Sequence, residues 1–327
     1  MSKTGIVLSF EEADVFMAEQ LKDLRLDYIG IHPWGGKKSV EGIDRTIEHM
    51  QTPEYKKFAD IVRQSGKKIE FEAHVQSWLY PKNLFQEHPD WFREDDSGKR
   101  IADFNMCVSN DKALSCLADR AAGLAALLKP DTDNYCWWTD DTDADCFCHC
   151  PGCRNLTPSD QYMIWCNTVL KGIRRINPRA CLSYIAYFAT MPVPKKIMPE
   201  EGIFLEYAPY KRDSFIPIAN TDCEKNKMET GGLPELLEFF GSRNSRVLEY
   251  WIDNSRFSLH KKPFRKLQFD PEIMKRDVAY YRSSGFEVIT SFACWTGREY
   301  QAEYGSPDFN TYVNLLRREG DSNPRNP

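Results

Sequence analysis

A chain of 327 residues, 42% of them hydrophobic, is long enough to bury a substantial core, and one large domain with long loops suits it as well as two. Its net charge of −5 argues against a phosphate-backbone partner, since nucleic-acid binders carry a basic stripe or a high pI, and the cationic pairs Lys261-Lys262 and Arg317-Arg318 are ordinary solvated doublets. No apolar run approaches the ~20 residues that cross a bilayer, and nothing in Met1-Ser-Lys-Thr resembles a secretion signal, so the expectation is a cytoplasmic protein unless a leader was removed.

Short β-rich runs alternate with longer helical patterns along the whole chain. A strand is expected at 5–10, a helix at 11–24, a strand at 27–32, a helix at 53–64, a strand at 68–76, a helix at 111–128 and a strand at 134–139. The pattern continues with a helix at 159–176, strands at 181–188 and 203–208, a helix at 233–240, a strand at 246–252, a helix at 271–283 and a strand at 287–294. Asp111 and Ser159 suit N-caps, and Gly66 and Gly285 suit helix stops. Eight strands alternating with helices predict an α/β protein, a (β/α)8 TIM barrel over residues 1–327 as a single domain with long βα loops. A doubly wound sheet is disfavoured, because Ser9-Phe-Glu-Glu-Ala offers no glycine-rich phosphate turn after the first strand.

Alternate residues of a barrel strand face the interior and the helical layer. On that basis the second strand turns Tyr28, Gly30, His32 and Trp34 inward, and the third Glu70, Glu72, His74, Gln76 and Trp78. The sixth contributes Glu206, Ala208 and Tyr210, the seventh Val247, Glu249, Trp251 and Asp253, and the eighth Ser291, Ala293 and Trp295. In the fourth, the same logic favours Tyr135, Trp137, Thr139 and Asp141 over Asp140. A polar, aromatic lumen follows, and barrel enzymes keep their chemistry at these strand ends.

Glycoside hydrolysis needs a carboxylic acid for the leaving oxygen, and a second carboxylate or a substrate acetamido group at the anomeric centre. Aromatic faces stack on sugar rings, and six of the eight tryptophans fall in or just past predicted strands: Trp34, Trp78, Trp137, Trp138, Trp251 and Trp295. The bland alternative for each is core packing. Asp140 and Asp141 are the most site-like carboxylates, because a strand-end pair can split its pKa values; the competing role is a helix or loop cap. Glu206 and Glu249, each in a Leu-Glu-Tyr tripeptide, are candidate partner acids, or else lumen residues tied to a lysine or arginine. His32 and His74 suit sugar hydroxyls or a purely structural place.

Eleven cysteines is an odd count and does not read as a disulfide framework; Cys116, Cys166 and Cys181 sit in apolar patterns as reduced thiols. Cys146, Cys148, Cys150 and Cys153 crowd a loop at 142–157 with metal-like spacing. A structural zinc held by Cys148, Cys150, Cys153 and a distant Cys107 is one reading, and free or disulfide-linked loop cysteines are the other.

His88-Pro-Asp-Trp-Phe, Gly98-Lys-Arg, Met106-Cys-Val-Ser-Asn110, Asp141 with Cys148-x-Cys150-x-x-Cys153, Ser159-Asp160, Asn167, and Tyr184-Ile-Ala-Tyr187 with Pro192-Val-Pro194 together resemble the domain of unknown function numbered 4838. Members look like barrel domains of bacterial carbohydrate-degrading proteins, some similar to glycoside hydrolase family 163, which cleaves N-glycans at an N-acetylglucosamine. The resemblance implies a sugar-active barrel with Asp141 as the family's strand-four aspartate. The chain departs from the family in carrying Asp140 where an asparagine usually stands.

The leading expectation is therefore a glycosidase acting on a bacterial or host glycan that contains an N-acetylhexosamine. Asp141 and Asp140 serve the anomeric centre or the acetamido group, and Glu206 or Glu249 is the general acid. His32, Trp34, His74, Trp78, Trp137, Tyr187, Tyr210, Trp251, Asp253 and Trp295 line the sugar subsites. Catalysis requires no cofactor, any zinc being structural, and the partner is a carbohydrate rather than nucleic acid or membrane. A second reading is a non-catalytic glycan-binding or scaffolding barrel, and a third a metal-dependent hydrolase using the cysteine loop.

Overall fold

A computed structural model describes residues 2–142, 146–242 and 245–317. Eight parallel strands close a barrel in the order β1 to β8: Lys3–Ser9, Tyr28–His32, Lys68–His74, Asn134–Trp138, Cys181–Ala186, Ile203–Tyr207, Arg246–Glu249 and Val288–Phe292. The helices are α1 Val15–Leu21, α2 Ser39–Met50, α3 Pro53–Gln64, α4 Gln76–Leu79, α5 Asp111–Leu127, α6 Pro158–Ile173, α7 Glu224–Thr230, α8 Leu233–Phe240, α9 Asn254–Phe257, α10 Pro271–Ser283, α11 Arg298–Tyr304 and α12 Phe309–Leu316. The architecture is the (β/α)8 barrel that the alternation predicts. Of the predicted cysteine-rich loop at 142–157, residues 143–145 lie outside the described residues, as does Arg318.

Local chemistry sets the element ends, and some expected caps shift. Asn110, not Asp111, caps α5, its side chain accepting from the backbone N–H groups of Lys112 and Ala113. Thr157, not Ser159, caps α6, exchanging hydrogen bonds with Asp160 in a capping box and followed by Pro158 in the first turn. Gly66 and Gly285 end their helices with φ of +83° and +98°, the left-handed region where glycine is favoured. The helix expected at 11–24 is a 3-10 turn over Phe10–Glu12 followed by α1, whose N-cap Asp14 accepts from Met17 N–H. Helix α2 had no sequence expectation. Its Gly42 sits where a Cβ would lie 2.6 Å from the Trp34 backbone nitrogen.

The chain's contacts gather into two compact units, one of residues 1–31, 53–69 and 207 onward, the other of 32–52 and 70–206. In the first, β8 pairs with β1 from Lys3 opposite Val288 to Val7 opposite Phe292, and with β7 from Arg246 opposite Val288 to Glu249 opposite Ser291. Tyr312 of α12 donates its hydroxyl to the Gly5 carbonyl at 2.7 Å, tying the last helix to the first strand. In the second, β4 lies between β3 and β5, with Glu72 opposite Cys136, Ala73 opposite Trp137, His74 opposite Trp138, and Asn134 opposite Cys181.

Helices α5 and α6 approach so closely that a Cβ on Gly172 would lie 2.2 Å from the Ala118 carbonyl oxygen. Gly172→Ala is expected to force the helices apart and to lower the unfolding free energy by about 1–3 kcal/mol, read from urea unfolding; an unchanged midpoint would contradict this packing.

Candidate functional site

The β3–β4 register decides which side chains of the second unit share a face. Because parallel partners project together, Trp138 stands beside His74, and Trp137 beside Ala73. The Trp138 ring lies 5.0 Å from the His74 ring and 6.1 Å from that of His32, and its indole N–H reaches Ser183 Oγ at 3.0 Å and Glu206 Oε2 at 2.8 Å. Cys136 comes within 4.8 Å of the carboxylates of Glu70 and Glu72 on the same face. The expected face of β4 is thus inverted. Trp137 is fully buried and packs edge-on against Tyr135 at 5.1 Å, so it is a core residue and not a sugar subsite.

Past the strand ends, three side chains gather around Gly35, and a fourth joins one of them. A Cβ there would lie 3.4 Å from Asp141 Oδ2, 3.6 Å from His74 Cδ2 and 4.0 Å from His32 Nε2, and the Tyr187 hydroxyl donates to Asp141 Oδ1 at 3.2 Å. Both imidazoles are anchored through Nδ1 to backbone carbonyls, His32 to Glu72 and His74 to Thr139, each at 2.7 Å. A carbonyl only accepts, so Nδ1 carries the proton in each ring, and in the neutral form Nε2 keeps its lone pair. Burial, and then the neighbouring His74, push the His32 pKa down to about 4. Asp141 is half-buried at this point. Gly35 was overlooked, although Trp34-Gly35-Gly36 directly after a strand signals close backbone approach.

The other predicted residues of this unit do structural work. Asp140 is buried and accepts from Ser77 N–H at 3.1 Å, Ser77 Oγ at 2.9 Å and Asn105 N–H at 3.3 Å, so it is the loop clamp that competed with a catalytic role; burial raises its pKa. Glu206 is fully buried under the Trp138 indole rather than open at the rim, which removes it as a general acid for an outside substrate. Trp78 lies in α4 and donates its indole N–H to Asp44 of α2 at 2.8 Å, while Trp34 carries the Lys38 ammonium over its ring at 5.1 Å.

In the first unit, β7 also presents the opposite face from that expected. Glu249 is buried against Arg212, Nη1 to Oε1 at 2.6 Å, and accepts from the Tyr281 hydroxyl. The same guanidinium nitrogen lies 2.7 Å from Asp277 of α10, which also accepts from the Trp251 indole at 2.9 Å and from Ile218 N–H. Glu249 is therefore the arginine-tied carboxylate and not a catalytic acid, and Trp251 turns its polar edge toward α10. Asp253 caps α9, accepting from Ser255 N–H at 3.0 Å and Oγ at 2.6 Å.

Tyr210, Trp251 and Asp253 do border a cleft of about 1070 Å³ in this unit, together with Tyr250, Arg256 and His260. The Arg256 guanidinium lies over the rings of Tyr210 at 4.9 Å and Tyr250 at 5.4 Å, and the two tyrosines meet edge to face. Glu229, in the same lining, is buried and pushed up to about 7 by desolvation. Trp295 adopts φ +62° and donates its backbone N–H to Glu12 at 2.8 Å, with its ring near those of His260 and Phe264. Sequence reasoning misses Tyr250, Arg256 and Glu229, the last two because they follow no strand-end pattern and Tyr250 because its parity is inverted.

Four thiols meet in the second unit. The sulfurs of Cys107, Cys148, Cys150 and Cys153 lie within 4.8 Å of one another, all buried and none in a disulfide, while Cys146 sits apart beside Thr142. Among the described residues no helix is long and apolar enough to cross a membrane.

Comparison with solved structures finds the same barrel fold in several enzymes. A glycoside hydrolase aligns with a TM-score of 0.52 at 9% identity over 97% of this chain and 98% of that one. A GH5-4 broad-specificity endoglucanase from an uncultured bacterium aligns with 0.51 at 11% over 92% and 83%, and a β-galactosidase from the psychrophilic Marinomonas ef1 with 0.50 at 14% over 90% and 54%. No curated protein matches the chain in sequence. The chain belongs to the family described as Domain of unknown function (DUF4838), whose model matches residues 37–231.

Two measurements check this geometry. Arg212→Met leaves Glu249 and Asp277 buried without their cation and is expected to cost about 3–5 kcal/mol in urea unfolding; a loss under 1 kcal/mol would contradict the buried triad. Because the folded pKa of His32 lies near 4 and below its unfolded value, the unfolded chain takes up this proton first as pH falls. The stability linked to His32 is complete above about pH 6.5 and is lost as pH falls toward 4. Ring-nitrogen NMR should find His32 neutral at pH 5.5, and a midpoint near 6.5 would refute its burial.

Proposed function

We propose that the chain is a glycosidase whose working carboxylate is Asp141 and whose substrate carries an N-acetylhexosamine. The observation behind this reading is the gathering of Asp141, His74 and His32 around Gly35, with the Tyr187 hydroxyl donating to Asp141. Of the four candidate carboxylates, Asp140, Glu206 and Glu249 are buried in structural hydrogen bonds. A sugar that supplies its own acetamido oxygen removes the need for a second protein carboxylate at the anomeric carbon. In this scheme the Asp141 carboxyl protonates the leaving oxygen while the acetamido oxygen bonds to the anomeric carbon. The carboxylate so formed then takes a proton from the water that reopens the ring. Tyr187 orients the carboxyl group, and the Nε2 lone pairs of His32 and His74 accept sugar hydroxyls.

Asp141→Asn, checked for an unchanged unfolding midpoint, should lower release of sugar from N-acetylhexosaminides by about 10²–10⁴-fold, and glycosides without the acetamido group should not be cleaved. A wild-type rate in Asp141→Asn would overturn the proposal. The burial of three of the four carboxylates equally favours a second reading, a glycan-binding barrel without hydrolysis. Calorimetric binding of an N-glycan that is lost in Asp141→Ala, with no sugar released by the native chain, would establish it.

A further inference from the structure

The four buried thiols do not belong to the proposed sugar site, and their geometry has a use of its own. We infer that Cys107, Cys148, Cys150 and Cys153 bind one zinc ion as a closed, structural four-thiolate site. Tetrahedral zinc with Zn–S bonds of about 2.3 Å separates its sulfurs by about 3.8 Å. Cys107 Sγ lies 3.6 Å from Cys150 Sγ and 3.9 Å from Cys153 Sγ, and all four sulfurs fall inside a 4.8 Å sphere of mutual distance. A disulfide instead requires about 2.0 Å and pairs sulfurs two by two. Four thiols packed together as neutral groups would satisfy little of each other's hydrogen bonding, and as thiolates they would repel strongly in a buried place. A divalent cation resolves both problems.

The surroundings fit thiolate ligands. Glu94 N–H reaches Cys148 Sγ at 3.3 Å and the Arg100 guanidinium lies 3.8 Å from the same sulfur, while the Ser109 hydroxyl contacts Cys107 at 3.2 Å and Cys150 at 3.4 Å. Donors of this kind orient and stabilise metal-bound sulfur. The turn between Cys150 and Cys153 closes through Cys153 N–H to the Cys150 carbonyl at 2.8 Å, and only glycine fits at 152, where a Cβ would lie 2.5 Å from Ser109 Oγ. His149, the nearest alternative ligand, turns its Nδ1 to Asp96 at 3.0 Å. With four buried protein ligands no position is open to water, so the metal is structural and the cysteine loop is not a hydrolytic centre.

The ion would join two loops. Cys107 closes the excursion whose strands bridge at Phe92–Met106 and Glu94–Arg100, and the other three ligands follow β4. Asn105, two residues before Cys107, donates its backbone N–H to Asp140 and its side-chain amide to the Cys146 carbonyl at 3.1 Å. The site thereby holds the clamp on Asp140, the neighbour of Asp141. Only this last consequence rests on the sugar-site reading.

The native chain, purified without chelator, should contain about one zinc by elemental analysis. Exchange with cobalt should give the sulfur-to-metal charge-transfer bands of a tetrahedral thiolate site. Cys107→Ser and Cys153→Ser should lose the metal, and Cys146→Ser should keep it. Should the ligand variants fail to fold, the cobalt spectrum of the native chain still decides. Absence of metal with freely titrating thiols, disulfides detected by mass, or iron in place of zinc would each overturn the assignment. None of these readouts involves a sugar, so failure here is distinct from failure of the glycosidase reading.

Discussion

The indole N–H of Trp138 is a buried donor that is costly to leave without an acceptor. Its acceptors are Ser183 on β5 and Glu206 on β6, so one side chain cross-links three strands of the second unit from within. Much follows from that bond. It commits Glu206 to the interior, sets the indole plane as a wall against which His32 and His74 stand, and sends the neighbouring Trp137 into the helical layer. The histidines in turn borrow their orientation from the backbone, each tethered by Nδ1 to a carbonyl of the next strand or its end. Asp141 meets two imidazoles held by the backbone and a phenol, rather than a mobile surface.

Burying charge shapes the first unit in a different way. Glu249 and Asp277 share Arg212, with the Trp251 indole and the Ile218 amide completing the acceptors of Asp277. Taking these ions out of water is costly, and the pairing repays it only while every partner is present. The triad holds α10 to β7 and to the segment after β6, which forms one side of the cleft lined by Tyr210 and Tyr250. Carboxylates at strand ends can thus serve architecture as well as chemistry, and burial separates the two roles more surely than position along a strand.

The alternation of strands and helices was legible because each strand is a short β-rich run bounded by turn chemistry. Strands β2, β3 and β6 could also be assigned their faces, since a polar residue at every second position in Tyr-Ile-Gly-Ile-His or Lys-Ile-Glu-Phe-Glu-Ala-His contrasts with its neighbours. Tyr135-Cys-Trp-Trp is apolar on both faces, and parity had nothing to grip; the register against β3 was needed to orient it. β7 failed for another reason. Alternation alone places Glu249 in the lumen, whereas its partner Arg212 lies 37 positions away on a different segment. Long-range satisfaction of a buried group leaves no local trace, and the same is true of Asn105 and Ser77 closing on Asp140. The cysteine spacing, by contrast, suggested three members of its cluster directly, with Cys107 brought in across 41 residues of chain before Cys148.

Gly35 gives the site a property that no side chain in it possesses. The backbone at that point carries only a hydrogen, and even a methyl group there would already stand in van der Waals contact with Asp141 and His74. A side chain longer than a methyl group would press first on the Asp141 carboxylate and the His74 ring, 3.4 and 3.6 Å from its Cβ. The position therefore limits how closely the segment after β2 can approach the carboxylate, and its size is bound to the groups around it rather than free of them.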